Sequence, residues 1–258
     1  MPKRRRLLRG LAGTSGALLL WEAAVRAGLV DGRFLPPPSA VIRTLVTLVG
    51  DVSFRRDVVA SVLAWVIALG IAIVVAAPVG VLLGSVPGLR VATRAIVELL
   101  RPIPSVALIP LVILVVGGGP EAKIALAVYA SVWPILFNAV YALGEIDPLL
   151  VDTARACGAG RVRILATVAV PHAAPFVFTG IRLSAAIALI VVVSTEYLAG
   201  ASIGIGTFIL TASSGGGRMD LVLAGALTAG VIGCLVNEGL AAAGRRWLRW
   251  SPLGGAAV

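Results

Sequence analysis

From Val58 to Leu89 the chain carries no charged side chain. A helix needs only about 20 apolar residues to cross the hydrocarbon core of a bilayer, so this run is more than long enough. Within lipid, open strands leave backbone polar groups unsatisfied, which makes a helix the conformation expected for such a segment. Further apolar runs extend over Pro102 to Pro120, Ile124 to Gly144, Phe176 to Ala199 and Leu221 to Ala243. With 59% hydrophobic and 13% charged residues and a mean hydropathy of +1.03, the whole chain is too apolar for an ordinary soluble domain. The expected fold is all-α: a polytopic integral membrane protein of about six transmembrane helices.

The connections define a coarse organisation. Residues 1–57 comprise a basic head, an apolar stretch from Leu7 to Leu20 and a loop containing Pro36, Pro37 and Pro38. No small-x-small cleavage site closes the apolar stretch, so it is read as a retained first span, with Glu22 awkwardly placed in it. Ser39 to Val49 is amphipathic and suits the membrane interface. Residues 58–250 form the main transmembrane unit and residues 251–258 a short tail. Pro78, Gly80 and Gly84 are expected at kinks or close helix contacts. The prolines at 102, 104, 110 and 120 predict a broken third span, and Trp133-Pro134 marks a potential kink in the fourth.

Net charge is +10, but its placement favours membrane topology over nucleic-acid binding. With the amino terminus inside, Lys3, Arg4, Arg5, Arg6, Arg9, Arg90, Arg94, Arg101, Arg155, Arg161, Arg163, Arg182, Arg245, Arg246 and Arg249 fall on the cytoplasmic side. Only Arg33, Arg43, Arg55, Arg56, Lys123 and Arg218 fall outside. Six spans with both termini in the cytoplasm of a cell-membrane protein follow. Cys157 and Cys234 are expected to be free thiols.

One long polar interruption remains, from Glu145 to Pro175. Asp147-Pro148 is an N-cap and first-turn pair, so a short helix is expected to run from there to Gly158, a left-handed cap. A second helix is expected from Gly160 to Val170, stopped by Pro171. Leu150, Ala154 and Cys157 share one face of the first helix, and Asp152 and Arg155 another. On the assigned topology this helix-turn-helix lies in the cytoplasm and has the form of a docking element.

The spacing Asp152-Thr153-Ala154, three residues, Gly158, nine residues, Val168, one residue, Val170-Pro171 resembles the Glu-Ala-Ala loop of ATP-binding-cassette importer permeases. Asp152, Thr153, Val168 and Val170 depart conservatively from that pattern, while Gly158 and Pro171 match it. Arg101-Pro102-Ile103-Pro104-Ser105, Leu108-Ile109-Pro110-Leu111, Thr179-Gly180-Ile181-Arg182-Leu183 and Glu196-Tyr197-Leu198 are similar to the nitrate, sulfonate and taurine branch. The resemblance covers roughly residues 55 to 250. It implies that the loop carries a coupling helix received by a cytoplasmic ATP-binding subunit, with Asp152, Thr153, Ala154, Arg155, Gly158, Val168, Val170 and Pro171 forming the coupling site. It also implies an extracytoplasmic solute-binding protein, a permease homodimer surrounded by membrane lipid, and a substrate such as a sulfonate, taurine or nitrate.

The residues themselves contain no phosphate loop, and neither Lys3 nor Lys123 follows a glycine, so ATP is expected to be used by the partner and no cofactor to be bound by this chain. No catalytic constellation or metal site is expected; His172, the only histidine, has no acidic or cysteine neighbours in sequence. Glu196 is either a pathway-lining residue or a carboxylate solvated at the external interface. Glu98 and Arg101 are spaced to pair on one helix face. An ATP-independent channel or secondary carrier is the alternative function, distinguished by whether uptake needs a partner ATPase.

Overall fold

In a computed structural model of the protein, residues 3–248 and 250 are described, and every regular element among them is helical. Met1, Pro2, Arg249, the 251–258 tail and the side chains of Lys3, Arg4, Arg5, Arg6, Leu7, Leu8 and Leu11 lie outside the described residues. Helices α1 (Lys3–Arg26) and α2 (Pro38–Gly50) precede α3 (Val52–Ser85), the longest uninterrupted α-helix. Then come α4 (Pro87–Leu100), a 3-10 turn over Ser105–Leu108, α5 (Ile109–Val116) and α6 (Pro120–Gly144). The second half comprises α7 (Pro148–Ala156), α8 (Arg161–Ile164), a π-helical turn over Leu165–Ala169, α9 (Val170–Ala199), α10 (Ile205–Ser214) and α11 (Met219–Trp247).

The core is built from α3, α6 and α9. Along α3, Ala64, Ala68, Ala72, Ala76 and Gly80 recur every fourth residue and are buried. A four-residue repeat stays on one helix face, and its small side chains let neighbouring backbones approach closely. The approach is closest at Gly80, where an added Cβ would lie 2.6 Å from the Ala139 Cβ and 3.0 Å from the Leu136 carbonyl oxygen. Leu126, Ala127 and Ala130 of α6 meet Ala188, Val191 and Val192 of α9 beside this stripe. Between the same helices the Ser184 hydroxyl donates to the Ser131 carbonyl at 2.6 Å, and Trp65 Nε1 of α3 donates to the Ala185 carbonyl at 2.8 Å.

Four helices among the described residues are long and apolar enough to cross a membrane: α3, α6, α11 and the continuous helix Arg161–Ala199. A fifth is formed if α4 and the segment Ser105–Val116, bent by 76° at the prolines, count as one span. By length and composition these account for four or five of the about six spans expected from the sequence. The difference is α1, where the apolar stretch is flanked by Arg9, Glu22 and Arg26 and diluted by glycine and hydroxyl residues. Glu22 is nevertheless well partnered: it accepts from the Ser39 amide at 3.0 Å and hydroxyl at 2.8 Å and from Arg26 at 2.7 Å. An unsatisfied donor at the start of α2 is thereby occupied, which ties α1 to α2. Helix α2 in turn packs on α11, with Val41 and Leu48 buried and Thr44 Oγ1 donating to Asp220 at 3.0 Å.

Two local expectations are corrected. Pro171 does not end a helix. The chain passes from α8 through the π-helical turn into α9, and the Val170 amide reaches back five residues to the Leu165 carbonyl. Widening the turn shifts the carbonyls that a proline ring at 171 would otherwise strike, so helix and proline coexist. Glu98 pairs with Arg94 at 2.7 Å rather than with Arg101, whose guanidinium lies 4.4 Å from the centre of the Phe137 ring.

Candidate functional site

Asp147 adopts an extended conformation, and its carboxylate accepts from the Leu149 amide at 2.9 Å, so it caps α7. Pro148 follows at the first helical position, where its missing N–H costs nothing. At the other end, the Gly158 amide donates to Arg155 at 2.8 Å and the Ala159 amide to Ala154 at 3.0 Å. That pair of bonds is the Schellman closure, and Gly158 takes the left-handed conformation it requires, with φ of +78°. A capped two-turn helix thus ends in a fixed reversal before α8.

Helix α7 has no buried residue. Its main packing partner is α8, and its apolar side chains face outward: Leu149 is 68% exposed and Leu150 53%, while Val162 at the start of the next helix is 80% exposed. Asp152 and Arg155 pair on the surface at 3.0 Å. The Thr153 hydroxyl donates back to the Leu149 carbonyl at 2.7 Å, and Ala154 is half-buried. Asp152, Thr153, Ala154, Arg155 and Gly158 therefore stand together on one protrusion. Val168 is half-buried in the π-helical turn, and Val170 and Pro171 begin α9 with exposed side chains. These three lie in the helix that supports the protrusion.

Glu196 lies at the opposite end of the bundle, and of its two readings, pathway-lining or solvated at the interface, its burial is incompatible with the solvated one. Its side chain is 0% exposed and forms an ion pair of 2.6 Å with Lys123 of α6. The Ser61 hydroxyl of α3 donates to it at 2.7 Å, and the Gly206 amide at the start of α10 donates at 3.0 Å. Lys123 also donates to the Ile203 carbonyl at 3.3 Å, Ser61 accepts from the Ile205 amide at 2.9 Å, and Asp57 accepts from the Gly204 amide at 3.0 Å. The α9–α10 turn approaches so closely that a side chain on Gly204 would collide with the Glu196 carboxylate. One on Gly206 would strike the Val193 carbonyl and come within 2.7 Å of the Tyr197 amide nitrogen. In this chain Glu196 faces Lys123 and the first turn of α10, joining four helices.

Lys123, Ser61, Gly204 and Gly206 escape a reading by local motif. One signal is present in the sequence: Lys123 and Glu196 are charges of opposite sign at span ends that the predicted topology puts on the same side. His172, half-buried, lies beside the Phe176 ring with a centroid separation of 5.8 Å. Among the described residues no three His, Cys, Asp or Glu side chains are placed to share a metal ion.

A bundle of close-packed apolar helices that extends one capped polar helix from its end is the architecture of an integral-membrane transport subunit. The chain belongs to the family of binding-protein-dependent transport system inner membrane components, which its residues 71–247 match. It is thus a polytopic inner-membrane permease subunit of an ATP-binding-cassette importer. The taurine transport system permease protein TauC of Escherichia coli (strain K12) is 31% identical over 244 residues, covering 92% of this chain and 88% of that protein. The bicarbonate transport system permease protein CmpB of Synechocystis sp. is 27% identical over 250 residues, covering 93% and 88%. The fold is shared with a chain in the crystal structure of a bacterial alginate ABC transporter bound to its periplasmic protein. Its TM-score is 0.62 at 18% identity, with 95% of this chain and 96% of that chain covered.

Proposed function

We propose that this permease imports a small anion and that α7, held by Asp147 and the Gly158 turn, docks on a separate ATP-hydrolysing subunit. The observation that carries the docking role is the exposure of Leu149 and Leu150 on a helix with no buried residue of its own. An apolar face fixed on a polar protrusion is the kind of surface that a helix presents to a groove in a partner. Asp152 and Arg155 stand at its rim, and Thr153 and Ala154 keep its profile narrow. The α7 end is cytoplasmic in this reading, as the arginines at 161, 163, 245 and 246 support, and both termini share that side.

Closure of two ATPases would move two copies of the permease between inward- and outward-facing states, with an extracytoplasmic binding protein delivering the solute. The substrate class rests on relatives for taurine and bicarbonate, both bearing an anionic group, and sulfonates and nitrate belong to the same chemistry. ATP binds to the partner, and this chain needs no cofactor of its own.

The test is purification of the tagged full-length permease from its native membrane, identification of retained subunits, and uptake of labelled taurine and bicarbonate into proteoliposomes. An ATPase that is retained by the unaltered protein, released by Gly158→Val and required for uptake is the expected outcome. Uptake that proceeds unchanged without ATP would instead establish a carrier or channel.

A further inference from the structure

The ion pair of Lys123 and Glu196 neutralises two of the charges held within the spanning helices, but Arg182 of α9 is different. Among the described residues no carboxylate lies within ion-pair distance of it. Its one recorded partner is neutral: a terminal guanidinium nitrogen donates to Asn237 Oδ1 of α11 at 3.0 Å. Its Nε is buried with no hydrogen-bond partner. Arg182 precedes Glu196 by about 21 Å along α9, and Asn237 precedes the end of α11 by about 15 Å, at 1.5 Å per residue. The pair therefore lies inside both spans, deeper than the cytoplasmic placement expected for Arg182 from the charge distribution.

A guanidinium at that depth, half-buried and uncompensated, is costly against lipid and is expected to face water or an anion. Other features of the seam between α9 and α11 agree. Phe178 packs on Gly244 to one side of Arg182, and Leu189 on Gly233 to the other, so α9 and α11 are in contact above and below it. Asn237, Glu238 and Cys234 of α11 are exposed at the same level. Glu238, next to Asn237 in sequence and one turn from Cys234, makes no ion pair with Arg182.

We propose that Arg182, positioned by Asn237, is an anion contact of the translocation pathway, receiving the sulfonate, carboxylate or bicarbonate group of a solute that passes along the α9–α11 seam. A guanidinium presents parallel N–H donors that match a planar or tetrahedral oxyanion. Asn237 holds one terminal nitrogen and thereby orients the guanidinium, whose remaining terminal N–H groups are not engaged by a carboxylate. This assignment rests on the reading of the chain as an importer of small anions.

Cys234 provides a native reporter, since it lies one helical turn from Asn237 on the same side of α11. In the full-length Cys157→Ser protein, reconstituted in neutral phosphatidylcholine, Cys234 is treated with anionic sulfonatoethyl methanethiosulfonate or with cationic trimethylammonioethyl methanethiosulfonate. Removing a unit charge close to the thiol in a partly aqueous site is expected to lower the anionic-to-cationic rate ratio about tenfold in Arg182→Gln. Arg182→Lys, which keeps the charge, is expected to hold that ratio within about twofold while reducing uptake of taurine, because the forked donor set is lost.

An unchanged ratio in Arg182→Gln overturns the proposal. So does a Cys234 that reacts with neither reagent, the result for a seam covered by lipid, including one where a lipid headgroup is the guanidinium's partner. Failure of the unsubstituted protein to take up taurine or bicarbonate in the presence of its ATPase counts against the importer reading separately, because the reagent ratio needs neither solute nor ATP.

Discussion

Lys123 Nζ and Glu196 Oε1 stand 2.6 Å apart in an environment that excludes solvent from both side chains, although 73 residues separate them in the chain. Each comes from a different core helix, and the carboxylate also accepts hydrogen bonds from α3 and α10. A buried ion pair with its remaining valences satisfied holds its helices in one arrangement, whether or not it adds net stability. The end of the bundle remote from α7 is therefore cross-linked.

Breaking one side of this pair leaves a charge stranded. Lys123→Met or Glu196→Leu is expected to destabilise the protein by roughly 3–5 kcal/mol. The double variant is expected to recover a large part of that loss, because no unpaired charge remains. Thermal unfolding in detergent, monitored by the far-ultraviolet circular dichroism of the helices, measures the cycle. Equal losses for the single and double variants would assign the effect to packing instead of charge.

The α9–α10 turn allows a sharper steric test. An added Cβ at Gly206 meets backbone atoms of α9, whereas one at Gly230 in α11 meets nothing within 4 Å. Gly206→Ala is expected to lower the unfolding midpoint clearly, with a cost at or above the roughly 1–3 kcal/mol of an overpacked core. Gly230→Ala is expected to match or exceed the parent, since alanine is the better helix former by about 1 kcal/mol. Comparable midpoints for the two variants would mean that α10 does not seat closely on α9.

These contacts also show where the sequence could be read and where it could not. The spans α3, α6 and α11 are visible because long charge-free runs have few alternatives in lipid. The bend between Leu100 and Ser105 is visible because four prolines crowd the segment around it. Asp147, Pro148 and Gly158 announce the ends of α7, since capping chemistry acts over a few residues. Pro171 misleads because its effect depends on a widened turn five residues long that no local propensity encodes. Glu98 and Arg94 show that two helical spacings can compete for one carboxylate. Burial of Lys123 and Glu196 depends on helices meeting in space, so the sequence places the charges on one side without revealing their contact. Ser61 and Gly206 carry no signal until α3 and α10 are brought together. The first helix is legible as a helix, but the tie between Glu22 and Ser39 of α2 is not, because it depends on two helices meeting in space.

The Gly158 turn separates backbone conformation from side-chain contact. Its φ of +78° disfavours most side chains by about 1–2 kcal/mol, although an added Cβ would meet no atom within 4 Å. Asparagine tolerates this region better than other residues with a Cβ. Gly158→Asn is therefore expected to keep most uptake, Gly158→Ala to lose part of it and Gly158→Val to lose nearly all, with similar amounts of each protein in the membrane. Transport assays paired with immunoblots of the membrane fraction provide the series. Identical uptake for the asparagine and valine variants would show that the left-handed turn is not what coupling requires.

The exposed face of α7 distinguishes apolar from polar docking. Leu149 and Leu150 are largely free of contacts within the chain, so replacing either with serine should alter folding stability by no more than about 0.5 kcal/mol. If they enter a groove in the ATPase, each loss should weaken that association by about tenfold or more, as for a central interface residue. Asp152 and Arg155 form a solvent-exposed pair, for which about 1 kcal/mol is an upper range, so Asp152→Ala is expected to change association only a few-fold. Titration of the purified ATPase against permease in nanodiscs ranks the three variants. Asp152→Ala as damaging as Leu150→Ser would move the centre of the contact to the polar rim, and the two leucines would then be a face turned toward the membrane surface.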